Sequence, residues 1–579
     1  MSDLMNISFN ELKRNARKDL AGLKEIKLSL LGDSSTQMLN IALKGMAVEY
    51  GYKLTIWEAD YDQLDLQIFD EGSELYQSEP DIVFIFRSFK KFQKSFYKKN
   101  IEAKPGFHKY FLEEINGQYN RIKEKFPKCK VIYGNIPEEN DGIFGNYSNK
   151  TAHSLLYQVR KVNTGLMELS MELKDLFPCD VAALFAQHGR SFSHSEAVYI
   201  NSDIVHSLDF NTKLSKHALD IIAALQGRFK KCLILDLDNT TWGGIIGDDG
   251  IENIQVGDLG VGKAFTELQL WARQLKERGI ILAICSKNNE ETAKDPFINH
   301  PDMVLRLEDI AVFMANWETK VDNIRHIQEI LNIGFDSMVF LDDNPFERNI
   351  VRENIPQITV PELPENPEEY LGFLQAQNLF ETASFSLNDA DRTGQYQKEA
   401  ERASFSKSFA NEDDFLASLC MTSDVQAFNK FNTPRVAQLS QRSNQFNLRT
   451  VRYTEGEIEN ISADKNYITA SFTLDDKFGN NGLIGIIVMK QETKDTLFIE
   501  NWIMSCRVLK RGMENFMLNH IVETAGIHQF SQIKAEYLPT AKNSMVKDHY
   551  KNLGFTEEDG IWALDIKKFE NLKTFITKK

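Results

Sequence analysis

Four aspartates lie where carboxylates can do phosphate chemistry. Asp236 and Asp238 follow one short apolar run, with a single residue between them. Asp342 and Asp343 follow a second such run about 100 residues later. Because ligand sites of α/β folds form at the carboxyl ends of parallel strands, we expect these side chains to share one crevice. Neighbouring carboxylates repel unless a cation or a shared proton is present, so the spacing predicts a Mg²⁺ site with oxygen ligands.

Other polar residues occur in an order that suits phosphoryl transfer, in which a carboxylate attacks phosphorus beside a metal. Thr240 completes a DxDxT pattern, and Ser286 and Asn288 follow a third apolar run. The Ser286 hydroxyl is placed to hold a phosphate oxygen. Lys320 opens a predicted helix and offers a cation. DxDxT alone is a weak signal, but the ordered set at strand ends and a helix start is strong.

The segments DLDNTTWGGIIGDDG, ICSKNNEE, NWETKVDNI and FLDDNPFER resemble the FkbH-like group of capless haloacid dehalogenase (HAD) proteins. The resemblance implies that Asp236 is the nucleophile and becomes an aspartyl phosphate. Asp238 would be the general acid and base, protonating the leaving oxygen and later activating water. Asp343 would be the preferred second metal ligand, supported by Asp342.

The same resemblance assigns the remaining polar residues of this set. Thr240, Ser286 and Asn288 would hold phosphate oxygens, and Lys320 would balance charge. Only about 45 residues separate Thr240 from Ser286, which leaves no room for a large cap domain. An open site of this kind favours a phosphate carried on something large, such as a tethered acyl group.

The C-terminal segments RVAQLSQRSNQFNLRTVRYTEGEI, LDDKFGNNGLIG, NWIMSCRVLKRGMEN and YLPTAKNSMVKDHYKNLGF resemble the FkbH C-terminal region, which is similar to GNAT acyltransferases. In that family a loop R/Q-x-x-G-x-G binds pyrophosphate at a helix N-terminus. Arg507 and Gly512 match the loop, Arg511 occupies its variable position, and Lys510 replaces its first glycine. The resemblance implies that Arg507, Arg511 and Gly512 bind the phosphate of the ligand. The ligand is either CoA or the phosphopantetheine arm of a carrier protein. Tyr550 matches the general acid of GNAT enzymes, and the alternative is a packing tyrosine.

Cys506 differs from the other cysteines in its sequence surroundings. Three cations follow it within five residues, near a predicted helix start. Cations and helix N-termini favour the thiolate, so Cys506 is a candidate nucleophile, although free cysteines are most often inert. The five remaining cysteines fit the inert interpretation: Cys129, Cys179, Cys232, Cys285 and Cys420.

The N-terminal region has a weaker resemblance to SGNH hydrolases. GDS at a predicted strand-to-helix turn makes Ser34 the candidate nucleophile, and Asn135 the candidate oxyanion-hole residue. Asp203 and His206 match the D-x-x-H of the last SGNH block. The alternatives are a helix N-cap for Ser34, a polar surface stretch for the other pair, and a region that binds an acyl or protein partner without chemistry.

The elements that must position these residues alternate between strand and helix patterns through the first 360 residues, which predicts parallel sheets covered on both faces. We predict an α/β multidomain protein: an SGNH-like α/β domain at 1–224, a HAD Rossmann-like α/β domain at 225–375, and a GNAT-like α+β domain at 385–579. Predicted strands are 26–31, 81–86, 130–133, 181–185, 232–235, 280–285 and 337–341. Predicted helices are 36–50, 154–173, 263–278 and 319–331. An antiparallel meander is predicted at 467–474, 482–489 and 497–504, with a hairpin loop at 477–482.

Composition excludes several classes of protein. A net charge of −16 argues against a binder of nucleic-acid backbone. Six cysteines in 579 residues, with no CxxC pair, provide neither a disulfide framework nor a zinc knuckle. The charged N-terminus does not resemble a secretory signal, and no apolar run approaches the roughly 20 residues of a membrane span. We therefore expect a cytoplasmic protein.

Together these features predict a Mg²⁺-dependent HAD phosphatase with an acyltransferase domain. It would dephosphorylate a three-carbon acyl unit and load it on the thiol of an acyl carrier protein. The substrate comes from resemblance alone, since FkbH-like proteins are associated with loading glyceryl units from 1,3-bisphosphoglycerate. The alternatives are a phosphatase and acyltransferase acting on a sugar or surface-polysaccharide precursor, and a non-catalytic scaffold.

Overall fold

The computed structural model describes residues 4–18, 20–385, 392–406, 408–540 and 542–579. The chain divides into two compact units, one ending at Ala223 and the other beginning at Ala224. Within the described ranges, every helix is too short or too polar to cross a lipid bilayer.

The first unit is built on a parallel sheet of order β2-β1-β3-β4-β5. Its strands are β1 Lys24–Gly32, β2 Tyr52–Glu58, β3 Ile82–Phe86, β4 Lys130–Gly134 and β5 Leu176–Cys179. Its helices are α1 Phe9–Asn15, α2 Gln37–Glu49, α3 Leu64–Phe69, α4 Glu74–Gln77, α5 Phe89–Tyr97, α6 Phe107–Lys125, α7 Leu155–Glu172, α8 Val181–His188, α9 Arg190–Ser193, α10 Glu196–Ser202 and α11 Leu208–Leu225, the last of which continues into the second unit. Strand β3, IVFIF, is buried at every residue, as expected for a central strand covered on both faces. The strand order reverses between β1 and β3, which places the expected ligand crevice of this unit beyond those two strands.

One predicted strand of this unit is wrong. Residues 181–185 form the start of helix α8, and the strand of this region is β5, five residues earlier. Asp180 ends the strand and caps the helix, because its side chain accepts a hydrogen bond from the amide of Ala183. Pro178 lies in β5, which is tolerable because β5 is an edge strand of the sheet.

The second unit contains a smaller parallel sheet of order β8-β7-β6-β9. Its strands are β6 Cys232–Leu235, β7 Ile281–Ser286, β8 Ile310–Ala315 and β9 Met338–Leu341. The associated helices are α12 Ile246–Asp249, α13 Gly262–Glu277, α14 Glu290–Asn299, α15 Lys320–Leu331, α16 Pro345–Asn354 and α17 Tyr370–Gln377. Apolar clusters lie on both faces of the sheet, one around Leu233 and Leu282 and the other around Ile234 and Phe340. β6 lies between β7 and β9, so residues that follow these three strands meet at one edge.

The rest of this unit forms a mixed sheet of order β16-β17-β15-β14-β13-β12-β10-β18, with β11 beside β12. Its strands are β10 Met421–Ser423, β11 Val425–Gln426, β12 Tyr467–Asp476, β13 Gly479–Gln491, β14 Thr496–Met504, β15 Gln532–Glu536, β16 Thr556–Glu558, β17 Ile561–Asp565 and β18 Ile576–Lys578. Its helices are α18 Arg392–Ser406, α19 Glu412–Ser418, α20 Thr433–Arg442, α21 Glu455–Ala463, α22 Met513–Ile527 and α23 His549–Asn552. The predicted subdivision of the second unit at 375–385 stays a prediction.

The predicted meander is present as β12, β13 and β14, but its first turn is shorter than expected. Asp476 pairs with Gly479, so the turn consists of Lys477 and Phe478. Gly482 has a φ of 70° inside β13, where the register of the β12–β13 pair shifts. The glycine that was predicted to close the loop therefore accommodates a bulge within the strand.

Candidate active site

Two of the predicted carboxylates lie side by side because their strands are neighbours. Leu235 of β6 pairs with Leu341 of β9, and the next residues are Asp236 and Asp342. The amide of Asp236 donates to the carbonyl of Leu341 at 3.0 Å. Both aspartates are buried, so the sheet register itself brings two acidic groups together in a region with little water.

Lys320 neutralises this pair. Its Nζ donates to Oδ2 of Asp236 at 2.7 Å and also to Oδ2 of Asp342. Lys320 is the first residue of α15, which Thr319 caps by accepting from the amide of Asp322 at 3.1 Å. Burial opposes the charge of Lys320, but the two carboxylates outweigh it and raise the pKa of Lys320 above its ordinary value.

Asp236, Asp342 and Asp343 form a group that suits a divalent cation. One oxygen from each of these carboxylates lies within 4.8 Å of the others. Among the described residues, Oδ1 of Asp236 has no hydrogen-bond partner, although it is buried. Burial raises the pKa of Asp236 to about 6, with Lys320 acting in the opposite direction. An orphaned carboxylate oxygen within an acidic cluster fits the oxygen coordination that Mg²⁺ prefers.

Asp238 does not join that carboxylate group within the described part of the chain. Its Oδ1 accepts from the indole Nε1 of Trp242 and from the amide of Ile246, both at 3.0 Å. Its Oδ2 accepts from Nδ2 of Asn288 at 2.8 Å. These three hydrogen bonds therefore fix the Asp238 side chain, and the geometry gives no support to its predicted role as a metal ligand.

Sequence reasoning missed two residues that position this site. Trp242, fully buried, lies four residues after Asp238 in DLDNTTWGG and holds its carboxylate. Arg348, in FLDDNPFER, donates from Nη1 to the carbonyls of Asp342 and Asp343 at 2.8 and 2.7 Å. Both residues lie within the quoted motifs, so the signal was proximity in sequence to the predicted aspartates.

The predicted phosphate-holding residues lie at the same edge of the sheet. Thr240 is buried, and its Oγ1 accepts from the amide of Asp343 at 3.0 Å. Ser286 ends β7, and its Oγ lies 3.4 Å from Nδ2 of Asn288. Thr240 thus ties the two acidic loops together, while Ser286 and Asn288 lie beside Asp238. Contact of these residues with phosphate stays a prediction.

In the first unit, the candidate hydrolase residues do not form a hydrogen-bonded triad. Ser34 follows β1 and is buried, and within the described residues its hydroxyl has no hydrogen-bond partner. His206 packs against the rings of Phe86 and Phe210, and its Nδ1 lies 3.4 Å from the carbonyl of Ser193. Asp203 instead accepts from the hydroxyl of a tyrosine, Tyr61.

Asn135, the candidate oxyanion-hole residue, makes its side-chain hydrogen bonds to the strand-to-helix junction that follows β5. Its Nδ2 donates to Asp180 and its Oδ1 accepts from the amide of Ala182, both at 2.8 Å. Ser34 is not the N-cap of α2 either, since Thr36 holds that position. Burial lowers the pKa of His206 to about 4, which keeps the ring neutral at ordinary pH.

The C-terminal arginines are bound within the protein. Arg511 is buried and forms ion pairs with Glu399 of α18 and Asp476 of β12. Arg507 donates to Gln395 of α18, and to the carbonyl of Asn481 at 3.4 Å. This pairing of Arg511 does not support its predicted contact with a ligand phosphate, because a phosphate would have to displace two carboxylates.

The backbone angles of this loop nevertheless suit the two glycine positions of the R/Q-x-x-G-x-G pattern. Gly512 precedes α22 with a φ of 73°, and Lys510 has a φ of 63°. Lys510 therefore adopts the left-handed conformation that glycine favours, at the position where the related loops have their first glycine.

Cys506 and Tyr550 occupy different surroundings. Cys506 is half-buried at the wall of a cavity of about 610 Å³. Tyr550 is buried against Trp502, Phe555 and Trp562, and its hydroxyl has no partner among the described residues. Tyr550 is thus placed as a packing residue. Of the cysteines predicted to be inert, Cys420 is exposed, whereas the other four are buried.

Comparisons with known proteins place these features in a family. A family model described as "FkbH, N-terminal domain" matches residues 27–223. The crystal structure of the N-terminal part of the protein BF1531 from Bacteroides fragilis, containing a phosphatase domain and complexed with Mg, is 51% identical to this chain. The match covers 66% of this chain and 100% of the Bacteroides fragilis chain, with a TM-score of 0.63.

Solved acetyltransferases are similar to smaller parts of the chain. The ribosomal-protein-S18-alanine N-acetyltransferase of Escherichia coli is 18% identical and covers 26% of this chain and 99% of its own, with a TM-score of 0.21. No curated protein matches this chain. The FkbH model matches residues 27–223, and the Bacteroides fragilis relative is matched over its whole length at 51% identity. From these two matches together, the chain belongs to the FkbH-like proteins.

Proposed function

We propose that this protein is a Mg²⁺-dependent HAD-type phosphatase that removes phosphate from a phosphorylated acyl unit. The observation that carries the proposal is the carboxylate group of Asp236, Asp342 and Asp343, with Lys320 joined to two of its members. The Mg complex of the related Bacteroides fragilis protein supports the choice of metal. When bound, Mg²⁺ would neutralise the charge of the substrate phosphate.

Two aspartates have different roles in the proposed phosphoryl transfer: Asp236 attacks phosphorus, and Asp238 transfers protons. Lys320 holds one oxygen of Asp236, which leaves Oδ1 available to attack phosphorus or to bind metal. Asp238, two residues after Asp236, is fixed by hydrogen bonds from Trp242 and Asn288. From there its carboxyl group would protonate the leaving oxygen and later take a proton from water.

The surroundings of the site favour a large substrate. Trp317 and Phe346 are 76% and 67% exposed, and they lie three residues along the chain from Lys320 and Asp343 respectively. Exposed aromatic side chains beside a polar crevice offer apolar contact area to the non-phosphate part of a substrate. The family resemblance suggests a three-carbon acyl unit, such as glyceryl.

We also propose that residues 385–579 transfer the acyl group to the thiol of a carrier protein, with Cys506 as the intermediate acceptor. The support is the cavity beside Cys506, which five cationic side chains line, namely Lys231, Arg435, Arg442, Arg507 and Lys542. Asp336 also lines this cavity and pairs with Lys542. Such a lining suits a phosphorylated acyl donor. Phosphopantetheine and CoA stay open as alternatives for the thiol arm.

The phosphatase proposal is tested by phosphate release from a panel of substrates. The panel contains a phosphorylated three-carbon thioester, a sugar phosphate and an aryl phosphate, each assayed in Mg²⁺ and in EDTA. We expect release only in Mg²⁺, with the thioester preferred. Equal release in EDTA would refute the metal-dependent mechanism, and a preferred sugar phosphate would refute the acyl substrate.

A further inference from the structure

Ser34 is buried at a place where α/β proteins commonly have an open crevice. It follows β1, beside the point at which the strand order of the first sheet reverses, and ligand crevices form beyond the carboxyl ends of such strands. The residue is nonetheless only 3% exposed, and its hydroxyl has no hydrogen-bond partner among the described residues. Because a buried hydroxyl without a partner costs free energy, its burial at this position needs a structural cause.

The cover is a loop of residues 193–207, which we call the covering loop. Its two ends meet at a base, where the amide of Ser207 donates to the carbonyl of Ser193 at 3.0 Å. The ring of His206, also in the base, lies 5.4 Å from the ring of Phe86, the last residue of β3. The base of the covering loop therefore lies at the carboxyl end of β3.

The far part of the covering loop reaches the other side of β1. Asp203, immediately after α10, accepts a hydrogen bond from the hydroxyl of Tyr61, which follows β2. Glu196, the first residue of α10, pairs with Lys90 of α5 at 3.4 Å. Since β1 lies between β2 and β3 in the sheet, a loop that contacts residues at the ends of both neighbours crosses the end of β1. Ser34 lies at that end.

The two parts of the covering loop are held in different ways. At the base, Ser193, Val205 and His206 are buried. In α10 no residue is buried, and Val198 and Ile200 are 43% and 75% exposed. Polar contacts near the surface thus hold α10 in place. Segments with few buried apolar contacts open at low free energy, so α10 can move while the base stays folded.

We infer that α10 is a lid over a second ligand site of this chain, at the end of β1, and that this site takes a small molecule with an anionic group. Opening of α10 removes the Glu196 carboxylate from Lys90. It also removes the ring of Tyr199, which lies 5.3 Å from the Lys90 Nζ in the closed form. An anion bound at Lys90 restores the lost pairing and keeps the lid open, and Ser34 can then hydrogen-bond an oxygen of the same ligand.

Neighbouring charges keep partners of their own when α10 moves. The carboxylate of Asp33 accepts from a backbone amide of the next strand end at 2.8 Å. Arg190, which also pairs with Glu196, has a second partner in Glu139 at 2.9 Å. Opening therefore leaves a cation, Lys90, without its carboxylate, and this sets the preference for an anion. The site is independent of the proposed phosphatase reaction.

Access to position 34 measures the lid. In a Ser34→Cys variant, the tryptic peptide of residues 28–44 contains no other cysteine, so mass spectrometry can follow its reaction with a thiol reagent. We expect this reaction to be at least about tenfold faster when Glu196→Gln and Asp203→Asn are added, because both substitutions remove charge from contacts that hold α10. Asparagine suits the left-handed backbone at position 203, where φ is 53°. An unchanged rate would overturn the lid.

Two controls separate lid opening from a general loss of structure. Glu71→Gln breaks another surface ion pair of the first unit, with Arg121, and should leave the rate at position 34 unchanged. Cys129 is buried just before β4, at the opposite end of the sheet, and should react equally slowly in every variant. Equal acceleration at Cys129, or acceleration by Glu71→Gln, would show that the whole unit had loosened and would overturn the lid.

The charge of the ligand is tested with two thiol reagents on the Ser34→Cys variant that carries Glu196→Gln and Asp203→Asn. One is the anionic sulfonatoethyl methanethiosulfonate, and the other is the cationic trimethylammonioethyl methanethiosulfonate. Each rate is divided by the rate of the same reagent with free β-mercaptoethanol. We expect the normalised rate to be at least about threefold higher for the anion, and Lys90→Met to abolish this difference. A preference for the cation, or a preference for the anion that survives Lys90→Met, would overturn the anion site.

Discussion

Asp236 and Ser34 occupy comparable places, since each follows a buried strand of a parallel sheet. In the second unit, Lys320 from α15 joins Asp236 to Asp342, and Asp343 completes a carboxylate group. In the first unit, Ser34 has no hydrogen-bond partner among the described residues, and His206 packs against two phenylalanines. The two crevices thus share a position in the fold but differ in how their side chains are paired.

The difference shows what a strand end does and does not provide. A parallel strand places one residue at the crevice, but a second element must deliver the partner that activates it. Helix α15 does this in the second unit, because its first residue reaches both carboxylates. In the first unit the residues expected to activate Ser34 interact with other groups, as Asp203 does with Tyr61.

The largest expected effect separates these two crevices directly. Asp236→Asn keeps the shape of the side chain but removes its nucleophilic charge, so phosphatase kcat should fall at least ~10³-fold. Ser34→Ala should leave phosphatase kcat unchanged, because Ser34 lies in the other compact unit. Steady-state phosphate release measures both. A Ser34→Ala enzyme that loses phosphatase activity would mean that the first unit takes part in the reaction.

Lys320→Ala should destabilise the protein and inactivate it. The change leaves Asp236 and Asp342 buried side by side without their cation, a loss typically worth about 3–5 kcal/mol. Thermal or urea unfolding in EDTA measures the loss, since a bound metal would replace the missing charge.

Lys287→Ala is the matched control for Lys320→Ala. Lys287 pairs with Glu347 at 2.6 Å, but its side chain is 40% exposed, so we expect a loss of at most about 1 kcal/mol. Equal losses in the two variants would show that the bridge between the carboxylates has no special role.

A smaller effect is expected at Trp242. Trp242→Phe removes one of the hydrogen bonds that fix Asp238 and should lower phosphatase kcat about tenfold, equivalent to roughly 1.4 kcal/mol. Trp271→Phe is the control, because Trp271 packs against Phe380 in the same sheet region. If both variants retain full activity, the indole does not position the general acid.

For a substitution of His206 we expect no effect on catalysis, only a change in how stability depends on pH. Burial lowers its pKa to about 4, against about 6.5 in an unfolded chain. Between these pH values the unfolded state binds a proton that the native state does not, so stability decreases as pH falls from about 6.5 to 4. His206→Phe should flatten this part of the stability–pH curve, measured by urea unfolding, while phosphatase activity stays unchanged. An unaltered slope would contradict the buried neutral histidine.

The sequence predicted the parts of the fold that depend on local pattern. Strands β6, β7 and β9 and helix α15 lie within one residue of their predicted bounds, because apolar runs and a capping threonine mark them. Residues 181–185 were predicted as a strand because they are apolar, but a preceding Asp180 cap makes them a helix. Short apolar runs do not distinguish these two structures.

The residues of the candidate site could be predicted from the sequence, but many of the contacts between them could not. The aspartates, Lys320 and Thr240 were identifiable from their order along the chain. The contacts of Trp242 and Arg348 were not, since they depend on how a loop and a helix fold back onto strand ends. The ion pairs of Arg511 with Glu399 and Asp476 likewise join residues 35 or more positions apart, a distance at which no local pattern applies.

The nucleophilic role of Asp236 is tested most directly by trapping the phosphorylated enzyme. The protein is mixed with a phosphorylated thioester in Mg²⁺, quenched in acid within the first turnover, and digested for mass spectrometry. We predict a hydroxylamine-labile phosphate on Asp236 that is present in the Ser34→Ala variant and absent in EDTA. Phosphate release at the normal rate by the Asp236→Asn variant, with no phosphorylated aspartate in the wild type, would contradict the account.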